Sequence, residues 1–207
     1  QMLAQKGSVV MSVLKEMTHT PDKPADMQED FYQDAYKGTS ESNIAWSSNK
    51  KNLAFDVIQL WMEDGDESNI DRVGHRRWCL NPSMEKTGFG FMDGYGAMYA
   101  FNEGKNFDVD YVPWPAKTMP YKYFFGPWSI SLNSKEYDIE PENIEVILTS
   151  GSQSYKFSKS NQSNGYFNVD TGHYGLGPAI IFQPDVLSLS ETSEINVTVM
   201  GVTDKEG

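Results

Sequence analysis

Apolar positions follow a helical period over the first hundred residues and a strand period over the second. Between Met2 and Met17, Leu3, Val10, Leu14 and Met17 share one side of a helix that Thr18-His19-Thr20-Pro21 ends. A second short helix opens at Ala25-Asp26, places Met27, Phe31, Ala35 and Tyr36 on one face, and closes at Gly38. A polar stretch from Thr39 to Asn49 then holds Ser42-Asn43-Ile44-Ala45. Leu53, Ala54, Val57, Ile58 and Trp61 line a third helix, stopped by Gly65, and Asp64 leaves it near the face of Trp61. An acidic loop leads to Val73-Gly74-His75-Arg76-Arg77-Trp78-Cys79-Leu80-Asn81-Pro82. Two short runs, 87–92 and 97–101, flank the turn signal Asp93-Gly94-Tyr95-Gly96 and predict a hairpin.

Prolines at 113, 115, 120 and 127 mark a change of character, and no helical period survives beyond them. The rest is strand-like. Trp128-Ser129-Ile130-Ser131-Leu132 alternates, and 144–149, 155–157, 165–169, 179–182 and 195–202 are β-rich runs separated by Gly, Ser, Asn and Pro. That spacing suits a small sandwich. The pattern therefore predicts an α+β chain with a helical α/β domain over 1–108 and an all-β, Ig-like domain over 109–207.

Composition narrows the function classes. The 207 residues carry 39% hydrophobic and 13% aromatic side chains, enough for a core and unlike a disordered chain. With 29 acidic and 17 basic residues the formal charge is −12, which repels nucleic acid at long range. No apolar run is long enough to span a bilayer. Cys79, the single cysteine, reads as a small buried hydrophobe and excludes an internal disulfide. The chain begins at Gln1 and ends Asp204-Lys205-Glu206-Gly207, which reads as a trimmed fragment whose leader has been removed.

Candidate chemistry is sparse, because phosphate loops, dinucleotide fingerprints, serine elbows and His-Glu-x-x-His are all missing. Of three histidines, His19 and His75 sit at the ends of separate helical segments, and His173 lies in a β-domain loop. Arg76 and Arg77 read as partners of the acidic loop 64–71, and Trp61 and Trp78 as core. The aromatic stretches 111–115 and 121–125 suit either domain packing or a platform for sugars or prolines.

The order His19, Ser42-Asn43-Ile44-Ala45, Trp61 to Asp64, Gly74-His75-Arg76 with Leu80-Asn81-Pro82, and Gly88-Phe89-Gly90 resembles the CAP superfamily. This is the group of cysteine-rich secretory proteins, antigen 5 and pathogenesis-related 1 proteins, and the glycine-histidine-arginine run looks like its bacterial, cysteine-poor SCP-like branch. The resemblance covers roughly residues 1–105. It implies an α-β-α sandwich whose cleft is lined by two histidines and two acids, able in some members to hold a divalent metal such as zinc. It also implies an earlier helix whose later part is Gln1–Met17.

Carried over by position, the cleft or ligand-binding residues are His19, Ser42, Asn43, Asp64 and His75, with His19 and His75 as the metal ligands. Ser42 stands where the family has its first glutamate, and Asp64 where a glutamate or serine is usual. Loss of that charge weakens a cation site. The resemblance implies a secreted or cell-surface protein that binds a small ligand or metal through this cleft. Two alternatives use the same sequence differently: a peptidase or esterase with His75 or a metal activating water or Ser42 as nucleophile, and a glycan-binding adhesin acting through the aromatic linker and β domain.

Overall fold

Helix α1 (Met2–Leu14) ends at Lys15, whose left-handed φ of 57° stops it before Met17. The computed structural model describes residues 1–124, 126–187, 189–190 and 192–205, so Phe125 of the aromatic linker and Glu206-Gly207 of the polar tail lie outside the described residues. The buried side of α1 is Ala4, Gly7, Ser8, Val10 and Met11, a smaller face than the Leu3–Met17 line predicts. Helix α2 (Glu29–Ser40) starts later than Ala25 and runs through Gly38 instead of closing there. Backbone proximity explains it: a Cβ on Gly38 would lie 1.9 Å from the Leu3 carbonyl oxygen, and one on Gly7 would lie 2.7 Å from the Gly38 carbonyl carbon. Glycine here serves close helix contact.

These helices share a unit, Gln1–Met62 with Pro82–Phe107, with a three-stranded antiparallel sheet ordered β1-β3-β2. Its strands are β1 (Ser42–Trp46), within the polar stretch 39–49, β2 (Gly88–Met92) and β3 (Tyr95–Tyr99). The turn is tighter than the four-residue signal. Met92 pairs with Tyr95 across Asp93 and Gly94, whose φ values of 48° and 98° are those of a two-residue primed turn. Ile44, Tyr95 and Ala97 pack with Ala4 and Met11 of α1. Gly96, one residue out of phase, faces Val57 of helix α3 (Leu53–Glu63), so α1 and α3 meet opposite faces of the sheet. Trp61, 1% exposed, donates its indole N–H to the Ile44 carbonyl at 3.0 Å.

The second unit comprises Glu63–Asn81 and Asp108–Gly207. It meets the sequence division near 108 at one boundary only, because residues 63–81, including helix α4 (Gly74–Cys79), pack with the β-strands. One sheet is ordered β4-β5-β10-β9, from β4 (Tyr111–Trp114), β5 (Trp128–Leu132), β9 (Gly165–Asp170) and β10 (Ala179–Pro184). A second is ordered β11-β7-β8, from β7 (Glu145–Ser150), β8 (Gln153–Ser158) and β11 (Asn196–Met200). A short pair joins β6 (Tyr137–Ile139) to β12 (Val202–Asp204).

Trp128, Leu132, Ile180 and Phe182 of the first sheet share one core with Val146, Leu148 and Phe157 of the second. The intervening residues face the other way. Ala179 and Ile181 pack against Val73, so β10 is buried on both faces and reads as an unbroken apolar run. Strands β4 and β6 have no counterpart in the sequence pattern, since β4 contains Pro113 and β6 is three residues long.

Candidate functional site

Two non-glycine residues in the left-handed region bracket the loop between α3 and α4: Asp64 with φ 46° and Val73 with φ 43°. Aspartate tolerates this conformation; a β-branched valine does so at a cost of order 1–3 kcal/mol. Burial of Val73 against Ala179 and Ile181 offsets that cost. The resulting bend brings Asp64, 2% exposed, back onto the start of α4. Its Oδ1 lies 2.8 Å from His75 Nδ1, and its Oδ2 accepts the Arg76 backbone N–H at 3.2 Å. A carboxylate only accepts, so Nδ1 carries the proton and Nε2 is the basic nitrogen of the neutral ring. The His75 side chain is 25% exposed while that of Asp64 is 1% exposed, so the orienting group is buried and the imidazole reaches solvent.

His19, in the first unit, is held in another way. Its Nδ1 donates to the Thr39 carbonyl at 2.8 Å, and the Thr39 hydroxyl, fully buried, donates to the His19 carbonyl at 3.2 Å. This reciprocal pair ties the loop after α1 to the end of α2. Ser42 and Asn43 are buried in β1, and Ser42 Oγ has no hydrogen-bond partner among the described residues. A serine nucleophile needs a base within hydrogen-bond reach. Next to it, Glu41 accepts a short hydrogen bond from the Tyr99 hydroxyl. Burial, and then that bond, push the Tyr99 phenol up to about 12.

Residues 8–107 match the CAP family, described as the cysteine-rich secretory protein family. This stretch is a CAP-superfamily domain. No curated protein and no solved structure matches the chain. The CAP match includes residues 63–81, which pack in the second unit, so its sequence boundary and the packing boundary part company between α3 and β2. Asp64 and His75, both assigned from the CAP resemblance, are in contact. His19, Ser42 and Asn43 belong to the first unit.

The two histidines that the CAP resemblance assigns to a metal, His19 and His75, lie in different units. Catalytic zinc takes three protein ligands. Among the described residues no group of three or more His, Cys, Asp or Glu side chains gathers to hold a metal ion.

The two arginines reach well beyond the acidic loop. Arg76 is fully buried and donates to the Pro127 carbonyl at 2.7 Å, to Ser129 Oγ at 3.2 Å and, in a short contact, to the Glu63 carbonyl. Loss of hydration lowers its pKa to about 10, which leaves it cationic at neutral pH. Arg77, 3% exposed, donates to the carbonyls of Arg72 at 3.1 Å and Gly172 at 2.6 Å, to that of Gly177, and to the Asp170 carboxylate. Its guanidinium also lies 4.9 Å from the centre of the Tyr174 ring. These contacts secure the dyad's segment to the sandwich. The chain offers no local signal for them, because most acceptors are backbone carbonyls, up to 100 residues away, and the carboxylate of Asp170 lies 93 residues on. Cys79 and Trp78 are half-buried rather than core, and His173 is exposed.

Proposed function

We propose that the protein is a secreted binding protein whose CAP domain presents the His75 imidazole, oriented by buried Asp64, to a small polar ligand. The Asp64–His75 contact carries this reading: a buried carboxylate on Nδ1 fixes the tautomer and aims Nε2, the arrangement by which proteins position an imidazole as acceptor or base. Secretion is supported by the CAP match, since CAP-domain proteins are typically extracellular. No described helix is long and apolar enough to cross a membrane.

The same dyad supports a second reading, a hydrolase in which Nε2 takes a proton from water. Ser42, the alternative nucleophile, has no base bonded to it among the described residues, so the hydrolase reading rests on water alone. Screening the full chain against peptide, ester and oligosaccharide libraries separates the two. Binding without turnover, lost in both His75→Ala and Asp64→Asn, is the expected result. Turnover that vanishes in those variants replaces binding with hydrolysis, and binding indifferent to both ends the proposal. The single Cys79 supports the cysteine-poor bacterial branch, and the two facing antiparallel sheets support an Ig-like sandwich.

A further inference from the structure

The two sheets of the second unit leave a cavity of about 570 Å³ beside their shared core, within the range of about 300–1,000 Å³ typical of small-molecule sites. Its walls are apolar: Trp128, Ile130 and Leu132 of β5, Val197 and Val199 of β11, and Phe124. Inward-facing residues of a finished core are closed off, yet Ile130, Val197 and Val199 are only half-buried. Both flanking strands are sheet edges, β4 in one order and β11 in the other.

The remaining lining is polar and sits outside. Lys117, Ser190 and Ser193 line the same cavity and are exposed, which places them at its mouth. Lys117 makes no ion pair among the described residues, on a chain with a formal charge of −12. An apolar floor with one cation at the rim suits a molecule with an apolar tail and an anionic head. An added peptide strand suits it less. Pro113 and Pro115 line the β4 side, and proline removes the backbone donors through which strand addition gains affinity.

We infer that the β-sandwich unit binds a single-chain amphiphile of the fatty-acid class, its tail between β5 and β11 and its carboxylate at Lys117. This site is separate from the Asp64–His75 dyad. The ion pair at the mouth is solvent-exposed and weakens with salt, while tail burial supplies most of the affinity.

Calorimetry of the full chain with monomeric dodecanoate, and with dodecan-1-ol as the neutral control, tests it. Dodecanoate is expected to bind; Val197→Trp, which fills the cavity, abolishes binding of both probes. Lys117→Glu, at an exposed position, weakens dodecanoate about fivefold and leaves dodecanol unchanged. No binding of dodecanoate, or binding that neither substitution alters, overturns the inference. So does retention on phosphatidylglycerol vesicles without uptake of monomeric dodecanoate, which points to a membrane surface. An alternating valine-threonine peptide that binds where dodecanoate does not overturns it in favour of strand addition.

Discussion

The two units hold their helical segments by opposite means. In the first, α1 and α2 approach until backbone meets backbone, and the residues that permit it, Gly7 and Gly38, contribute no side chain at all. In the second, the short segment around α4 is held through the longest cationic side chains available, Arg76 and Arg77, each sunk among carbonyl oxygens. One contact is all shape, and tolerates no added atom. The other satisfies charge with dipoles and one carboxylate, and tolerates no missing acceptor. Substitutions that add volume should therefore hurt the first, and substitutions that remove charge the second.

Gly38→Ala breaks the first contact and has the largest expected effect. A methyl group 1.9 Å from a backbone oxygen forces the helices apart, at a cost of about 3 kcal/mol in denaturant unfolding of the full chain. An unchanged unfolding midpoint would mean the helices have room to spare. Asp170→Asn probes the other unit. It removes the carboxylate beside buried Arg77 while keeping the shape, and because Asp170 is itself 22% exposed the expected loss is nearer about 2 kcal/mol than the full penalty of breaking a buried pair. A neutral result would show that the carbonyls of Arg72, Gly172 and Gly177 suffice for the guanidinium.

This contrast also explains what could be read from the residues alone. Wherever an element is marked by side-chain period or turn chemistry it was legible: α1 and α3 by their apolar recurrence, the hairpin by Asp93-Gly94, β5 by alternation. The extent of α2 was not, because a glycine read as a helix stop is also what a helix needs where another backbone crosses it. Asp64 and His75 are singled out together by the ordered motifs of the CAP resemblance, and their contact follows from two left-handed residues that no composition rule announces. The arginine cages were illegible for a general reason. A buried cation satisfied mostly by backbone carbonyls leaves little in the sequence to pair with it, and the one carboxylate, Asp170, lies 93 residues from Arg77.

The smallest expected effect lies in the first unit, at the Glu41–Tyr99 pair. The Tyr99 phenol, near 10 in an unfolded chain, is pushed up to about 12 in the fold, first by burial and then by its bond to Glu41. Between those values the folded protein holds a proton that the unfolded chain releases, so stability falls as pH rises. The contribution is therefore complete below about pH 10 and lost by about pH 12. Tyr99→Phe removes the proton and, with it, this part of the alkaline slope, while Asp170→Asn leaves it in place. Unfolding midpoints measured from neutral pH upward in both variants show whether the slope belongs to Tyr99; a slope that persists in Tyr99→Phe assigns it to another group. Glu41 then loses its hydroxyl partner, and with that side chain 32% exposed, water replaces the bond at little cost.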